Sequence, residues 1–230
     1  MNIYNEGTYL GHNANWHQED SPYKAKLVTG LLDKLTAKSI LEVGCGAGAV
    51  LKILSGRFPD IRFDGYDVSA DAATFWAGKE SPTLRFSCSN LLESEHRADV
   101  VLCLDVFEHV EDYMGFLKKL RSHGSYFIFN VPMDMCVMKL LSSGLKHARE
   151  EVGHLHYFNE WSAKATLADC GYQIEAAKLS PAFLKILPRN LRQLLVVVPR
   201  IVAHFLLGSR LACKLLGGYS LLVGAKVMKQ

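Results

Sequence analysis

A chain of 230 residues with 49% hydrophobic side chains suits one large domain, or a domain with an appendage, and is ample for a sizeable core. Its six cysteines (45, 88, 103, 136, 170 and 213) form no C-x-x-C pair, which speaks against a zinc site or a disulfide framework and fits reduced thiols in a cytoplasm. The net charge of +3 is divided: Ala176 to Gln230 holds nine cations and no acid, leaving −6 for the first 175 residues, a split that points to a membrane surface or an anionic partner.

The opening "MNIYNEGTYLGHNANWHQED" is polar and lacks an apolar run, so no signal peptide is expected. "EDSPYKAKLVTGLLDKL" reads as a helix, with Ser21 as cap, Pro22 at the first helical position, and Leu27, Leu31, Leu32 and Leu35 at helical spacing. "SILEV" is a strand ended by "GCGAG", and "AVLKILSGRF" a helix. "IRFDGYD" is the second strand, followed by a helix over "SADAATFWAGK" capped by Ser69. "LRFSCSN" and "ADVVLCL" are the third and fourth strands, the latter apolar almost throughout like a central parallel strand. Cys45, Cys88 and Cys103 lie in or beside these apolar runs and are expected to be buried. "EDYMGFLKKLRSH" is a helix and "SYFIFNVP" the fifth strand. Helical patterns follow around 133–146 and 160–170, then "YQIEAAKL" as a sixth strand and "YSLLVGAKVM" as the last. Alternating strands and helices predict an α/β fold with a mostly parallel sheet.

"LEVGCGAG" runs a strand through a glycine turn into a helix. Gly44, Gly46 and Gly48 permit a tight turn and bring backbone N–H groups toward a ligand at the helix N-terminus. Asp67 ends the next strand, nineteen residues after Gly48, where a carboxylate can accept from both ribose hydroxyls. A bland alternative has the glycines only turning the chain and Asp67 only capping a helix. The turn also satisfies the loose dinucleotide pattern, so an NAD(P)-dependent oxidoreductase is a rival reading. Glu42, two residues before the first glycine, argues against it, because a charge there suits a cationic amino-acid group better than a pyrophosphate. The chain also leaves little room for a separate substrate domain.

"LEVGCGAG", "YDVS", "SCSNLLE" and "DVFEHVED" resemble the successive cofactor motifs of the class I S-adenosylmethionine-dependent methyltransferases, over Lys38 to about Pro132. "GHLHYFNEWSAKATLADCGYQI" is similar to that family's segment before its sixth strand. The resemblance implies a Rossmann-like, doubly wound seven-stranded sheet, its last strand antiparallel and inserted beside the fifth. It implies that Glu42, Gly44, Gly46 and Gly48 hold the methionine end of the cofactor, that Asp67 binds the ribose, and that Val68 lies against the adenine. Asn90 stands where the family often has an Asp accepting from the adenine amino group. Leu91 would cover the adenine, and Leu104 and Asp105 would line the methionine pocket. "NANWHQEDSPYKA" resembles the leading segment of methyltransferases of surface-glycan and lipid biosynthesis, which makes Trp16 and His17 lid residues; an ordinary packing aromatic beside an exposed histidine is the alternative.

His109 is the natural general base for a hydroxyl acceptor, with Glu108 beside it, because imidazole titrates near neutrality. His154 and His156 precede the last helix–strand unit, at the same sheet edge, and are expected to face the acceptor. Asp105-x-x-Glu108-His109 also resembles the ligand set of ubiquinone-type O-methyltransferases and small-RNA 2′-O-methyltransferases, with His154 or His156 as a further ligand. A purely structural turn, a general base and a metal site all stay open; no residue is assigned as a metal ligand, and S-adenosylmethionine is the one cofactor required.

The tail "LPRNLRQLLVVVPRIVAHFLLGSRLACKLLGG" is apolar but interrupted by Pro199, Arg200 and His204, and is expected to form two helices divided near Pro199. The preferred reading has it capping the acceptor pocket with its leucines inside the domain; the alternative lays it in a membrane interface. Four parts result: a lid and helix over 1–37, a cofactor-binding core over 38–180, a helical insertion over 181–218 and the last strand over 219–230. The sequence thus predicts methyl transfer from S-adenosylmethionine to a hydroxyl of a small molecule, a glycan or a lipid-linked intermediate. It predicts a cytoplasmic protein with peripheral membrane contact through 181–218 as an option. A catalytically idle cofactor-binding module is a third reading. Basic residues interleaved with leucine and valine, not exposed aromatics, argue against nucleic acid.

Overall fold

The computed structural model describes residues 15, 16, 18–184 and 191–228. The expected lid residue His17 lies outside them. Helix α1 (Ser21–Leu32) leads into β1 (Ser39–Val43), α2 (Ala49–Arg57), β2 (Arg62–Asp67), α3 (Ala70–Ala73), β3 (Leu84–Cys88) and β4 (Ala98–Leu104). Then come α4 (Tyr113–Leu120), β5 (Gly124–Pro132), α5 (Val137–Leu140), α6 (Gly144–His147), α7 (Glu160–Asp169), β6 (Tyr172–Pro181), α8 (Leu191–Leu216) and β7 (Tyr219–Val227).

The seven strands form one sheet in the order β3-β2-β1-β4-β5-β7-β6. β1 to β5 pair in parallel, and β7 runs antiparallel to both β5 and β6. This is the doubly wound seven-stranded arrangement expected from the sequence. Side chains alternate across the sheet, so each central strand feeds two cores. Leu41, Val101, Cys103, Phe127 and Phe129 pack on one face with Tyr172, Leu221 and Val223. Ile40, Val100, Leu102, Tyr126 and Ile128 pack on the other with Val28, Leu51 and Leu54. The chain reverses direction across the sheet between β1 and β4, and the carboxyl ends of those strands open there into a crevice, the place where open α/β sheets bind ligands.

Four local expectations are corrected. The helix after Ser69 lasts only Ala70–Ala73, because Trp76 is drawn inward to donate its Nε1–H to the Gly46 carbonyl at 2.8 Å. Cys88 is exposed, at the edge strand's end, although Cys45 and Cys103 are buried and all six thiols are free. The tail is not divided at Pro199. α8 runs through that proline and breaks at Gly208, whose φ of 75° and ψ of 162° suit only a residue without Cβ. Nor are its large apolar side chains inside the domain: Leu195, Phe205 and Leu206 are 67%, 74% and 77% exposed.

Candidate active site

The glycine turn is built by steric need. Gly44 has φ 66°, and a Cβ on it would lie 2.7 Å from Val106 Cγ2; Gly48 has φ 72°, and a Cβ there would meet the Phe86 ring at 2.5 Å. The loop is tied down from three sides. Asp67 Oδ2 accepts from Gly46 N at 2.8 Å, Trp76 donates to the Gly46 carbonyl, and Lys79 Nζ donates to the Ala47 carbonyl at 2.8 Å. Asp67 Oδ1 also accepts from Ser69 N at 2.9 Å, so this carboxylate already organises the turn beside which a ribose would lie. Burial pushes its pKa up, against three backbone N–H groups that lower it.

The loop borders a cavity of about 1220 Å³, lined on one side by Glu42, Gly44, Gly46, Asp67, Val68, Leu104 and Asp105. A smaller cavity of about 370 Å³ shares Gly44, Asp67 and Val68 with it and reaches Asn90 and Leu91. The residues expected around the cofactor therefore line two joined hollows, save that Gly48 stays behind the loop, against Phe86. Asn90 is also a cap: its Oδ1 accepts from Leu92 N at 3.1 Å and its Nδ2 donates to Glu93. Trp16 lies over Gly46 at the rim, as a lid residue would.

Glu42 is 3% exposed, and its Oε2 has no hydrogen-bond partner among the described residues. Burial pushes its pKa up to about 8, against the opposing pull of Lys24. Lys24, on α1, pairs with Asp105 across 2.7 Å. Burial alone would lower that lysine, but the Asp105 carboxylate outweighs it and holds the lysine above its usual range. Asp105 sits at φ 56°, a costly position for a residue with a Cβ, and is fixed there by Lys24, by Asn130 Nδ2 on its Oδ1 at 2.8 Å, and by its own N–H on the Asn130 carbonyl.

The remaining wall of the large cavity, where the acceptor was expected, is made by the short turn Phe107–His109 and the segment after α6. The Glu108 carbonyl accepts from Leu155 N at 2.8 Å and His156 N at 3.1 Å, and so clamps the two together. His109 donates Nδ1–H to the Gly153 carbonyl at 3.0 Å, and its ring meets that of His154 edge-on, centres 4.8 Å apart. His154 donates Nδ1–H to the Asp134 carboxylate, which Lys139 also holds. In each neutral ring Nε2 then carries the lone pair. Burial lowers the His109 pKa to about 4, and the neighbouring His154 reinforces the shift. Asp134 is held down at about 2; burial opposes this, but the His154 and Lys139 partners prevail.

Close to the two imidazoles is Glu108, fully buried, with neither carboxylate oxygen partnered among the described residues. Burial, then the nearby Asp105 charge, pushes its pKa well up. One ligand atom from each of Glu108, His109 and His154 lies within 4.8 Å of the others. The sequence reading assigned no metal ligand; these three residues are a group that could hold a divalent cation. Asp105 is drawn away from it by Lys24. His156 stands apart as well: its Nε2 donates to the Val110 and Glu111 carbonyls and its ring packs on Tyr113, so it is wall rather than reactive group. The cover of this side is Arg149–His156, and no described residue of α8 lines the cavity, contrary to the expected cap.

Sequence reasoning missed Lys24, Asp134 and Trp76. Asp134 lies two residues past the fifth strand and was findable as an acid at a strand's carboxyl end; nothing local marks Lys24 or Trp76 as partners of the site.

A family model described as a methyltransferase domain matches residues 16–177. The ubiquinone biosynthesis O-methyltransferase of Rickettsia typhi is 33% identical over 103 residues, 44% of this chain and 41% of that protein. A malonyl-[acyl-carrier protein] O-methyltransferase of Acetivibrio thermocellus is 28% identical over 120 residues, 49% of this chain and 42% of that protein. The chain thus spans less than half the length of these curated relatives. Among solved structures, the N-methyltransferase NodS from Bradyrhizobium japonicum WM9, in complex with S-adenosyl-L-homocysteine, superposes with a TM-score of 0.62 at 14% identity, covering 100% of both chains. With its sheet order, its glycine turn and this match over most of its length, the chain belongs to the class I methyltransferases.

Proposed function

We propose that this chain transfers the methyl group of S-adenosylmethionine to a hydroxyl of a small or lipid-linked acceptor, at a site where Glu108, His109 and His154 hold a divalent cation. One observation carries the reading. A fully buried carboxylate with no partner among the described residues lies within 4.8 Å, ligand atom to ligand atom, of two imidazoles whose Nδ1–H groups are already engaged. An isolated carboxylate is costly to bury, and a bound cation compensates it. Outer partners that fix the tautomer, such as Asp134 on His154, are the usual support of metal-binding histidines.

The residues fit the cofactor as well. Glu42 meets the cationic methionine end, Asp67 the ribose, and Val68 and Leu91 the base. Bound there, the cofactor presents a methyl group activated by its sulfonium centre. The protein then has to align the acceptor and exclude water. Trp16 and the Arg149–His156 cover serve the second need. For the first, a cation on Glu108, His109 and His154 would lower the pKa of an acceptor hydroxyl and orient its oxygen. With Nδ1–H on the Gly153 carbonyl and Nε2 facing the cation, His109 would orient the acceptor; the hydroxyl proton would leave to cavity water as the acceptor oxygen bonds the methyl carbon and the carbon–sulfur bond breaks. Lys24 neutralises Asp105 and keeps that wall of the pocket in place. O-methyl transfer is also what the Rickettsia and Acetivibrio relatives are named for.

The test is a titration of the purified chain with Mn²⁺, read by calorimetry and by electron spin resonance. One equivalent should bind, and Glu108→Gln and His154→Ala should each weaken binding by at least about tenfold. Wild-type protein that binds no Mn²⁺ would remove the metal from the account and leave His109 as a simple base.

A further inference from the structure

We propose that the outer face of α8 docks on the surface of an anionic lipid bilayer, and that the acceptor is drawn from that phase. The second half rests on the methyl-transfer reading above; the docking does not.

Over its first four turns α8 is apolar on both sides. Val197, Ile201 and Ala203 turn toward the domain, while Leu194, Leu195, Val198, Val202, Phe205 and Leu206 are exposed. A helix apolar all round belongs either inside a protein or against a membrane, and this one is not inside. Its charges are arranged to the same end. Between Gln193 and Gly208 the only ionisable residues are Arg200 and His204. Both are held inward: Arg200 Nε donates to the Leu216 carbonyl at 3.2 Å, and His204 Nδ1 bonds the Tyr219 hydroxyl at 2.9 Å. The outward face therefore carries no charge along its apolar length. In the sequence Arg192 precedes this apolar length and Arg210 and Lys214 follow it, in a stretch of chain with nine cations and no acid. An apolar face between basic ends is the pattern of an interfacial helix on anionic lipid.

The surface continues onto the segment that covers the acceptor cavity. α5 packs on α8 and presents Leu140 and Leu141, the latter 84% exposed. Trp161, 78% exposed, follows Glu160, whose carboxylate pairs with Arg210 Nε at 3.3 Å. The chain between α5 and Trp161 is the one that carries Arg149–His156. A bilayer against α8 therefore lies next to the cover of the acceptor side, which favours an amphiphilic acceptor.

By length and composition alone Gln193–Leu216 would also cross a membrane. The break at Gly208 and the inward bonds of Arg200 and His204 tie it to the domain surface, which calls for an in-plane seat. A second copy of this chain fits poorly, because a two-fold contact through α8 would set the cations at the end of its apolar length, Arg210 and Lys214, against the same cations of the other copy.

The test uses the full chain with vesicles of phosphatidylcholine alone and of phosphatidylcholine mixed with phosphatidylglycerol, separated by flotation. The protein should float with the anionic vesicles and less with the neutral ones. Leu195→Asp, Phe205→Asp and Leu206→Asp should each cut this partition by at least about tenfold, with S-adenosylmethionine affinity unchanged as the check on folding. Protein that stays soluble with both vesicles overturns the proposal. So does flotation unaffected by the variants, or a dimer by light scattering that Phe205→Asp dissolves without any vesicle binding. Flotation without methyl transfer would leave the docking standing and overturn the reaction; methyl transfer without flotation would do the reverse.

Discussion

The ring of His109 meets the ring of His154 edge-on with centres 4.8 Å apart, and the carboxylate of Glu108, without a hydrogen-bond partner among the described residues, has an oxygen within 4.8 Å of a ring nitrogen of each. The two histidines are forty-five positions apart in sequence and are brought together because the Glu108 carbonyl accepts from the backbone of 155 and 156. If these groups act on the acceptor and not on the cofactor, then His109→Ala and Glu108→Gln should leave S-adenosylmethionine affinity within about twofold and lower turnover by about 10²- to 10⁴-fold. Calorimetry and single-turnover methyl transfer separate the two effects.

Asp67 serves the turn and the ribose together. Asp67→Ala removes its bond to Gly46 N, its bond to Ser69 N and the acceptor for the ribose hydroxyls. With hydrogen bonds to a charged group worth about 1.5–3 kcal/mol each, the dissociation constant for S-adenosylmethionine should rise by about 100-fold. Calorimetric titration measures it, and an unchanged affinity would remove the cofactor assignment.

Glu42 predicts a proton signal. Its folded pKa of about 8 lies above the model-peptide value, so the folded protein holds this proton where the unfolded chain has lost it. Its contribution to stability is therefore fully present at low pH and is lost as pH rises from the ordinary carboxyl range through about 8. A cationic ligand beside Glu42 lowers that pKa. At neutral pH, cofactor binding should then release close to one proton from Glu42, about 0.9 by simple titration. Calorimetry in buffers of different ionisation enthalpy reads the number, and Glu42→Gln should abolish it while weakening the cofactor.

Gly48 has both a left-handed backbone and a ring against it. Gly48→Ala would place a methyl group 2.5 Å from Phe86 Cε1 at φ 72°. A loss of about 1–3 kcal/mol is expected from strain and overpacking together, seen as a lower denaturation midpoint by circular dichroism. Gly56→Ala, on α2 with open space around it, should be neutral or slightly stabilising in the same assay.

The sheet was legible because strand-length apolar runs alternate with helical periodicity, and glycine and acid mark the carboxyl ends of β1 and β2. The cofactor residues were legible for the same reason: they lie within a few positions of those ends. The acceptor side was less so. His154 was found, but His156 looks identical in "GHLHYF" and differs only in pointing at the Val110 carbonyl. Asp105 matches a ligand pattern, yet Lys24, eighty-one residues upstream, claims it. The tail misled most. Pro199 is a break signal, but the chain spends its freedom at Gly208, where φ can be positive without strain. Burial of its leucines was inferred from apolarity alone, which does not say whether protein or lipid is the neighbour.

The most direct measurement is transfer of labelled methyl from S-adenosylmethionine into a whole-cell extract, with and without a chelator, resolved into lipid, glycan, nucleic-acid and small-molecule fractions. The account predicts label in the lipid fraction, lost on chelation and restored by added Mn²⁺ or Mg²⁺. Label in no fraction, from protein that still binds the cofactor, would contradict it.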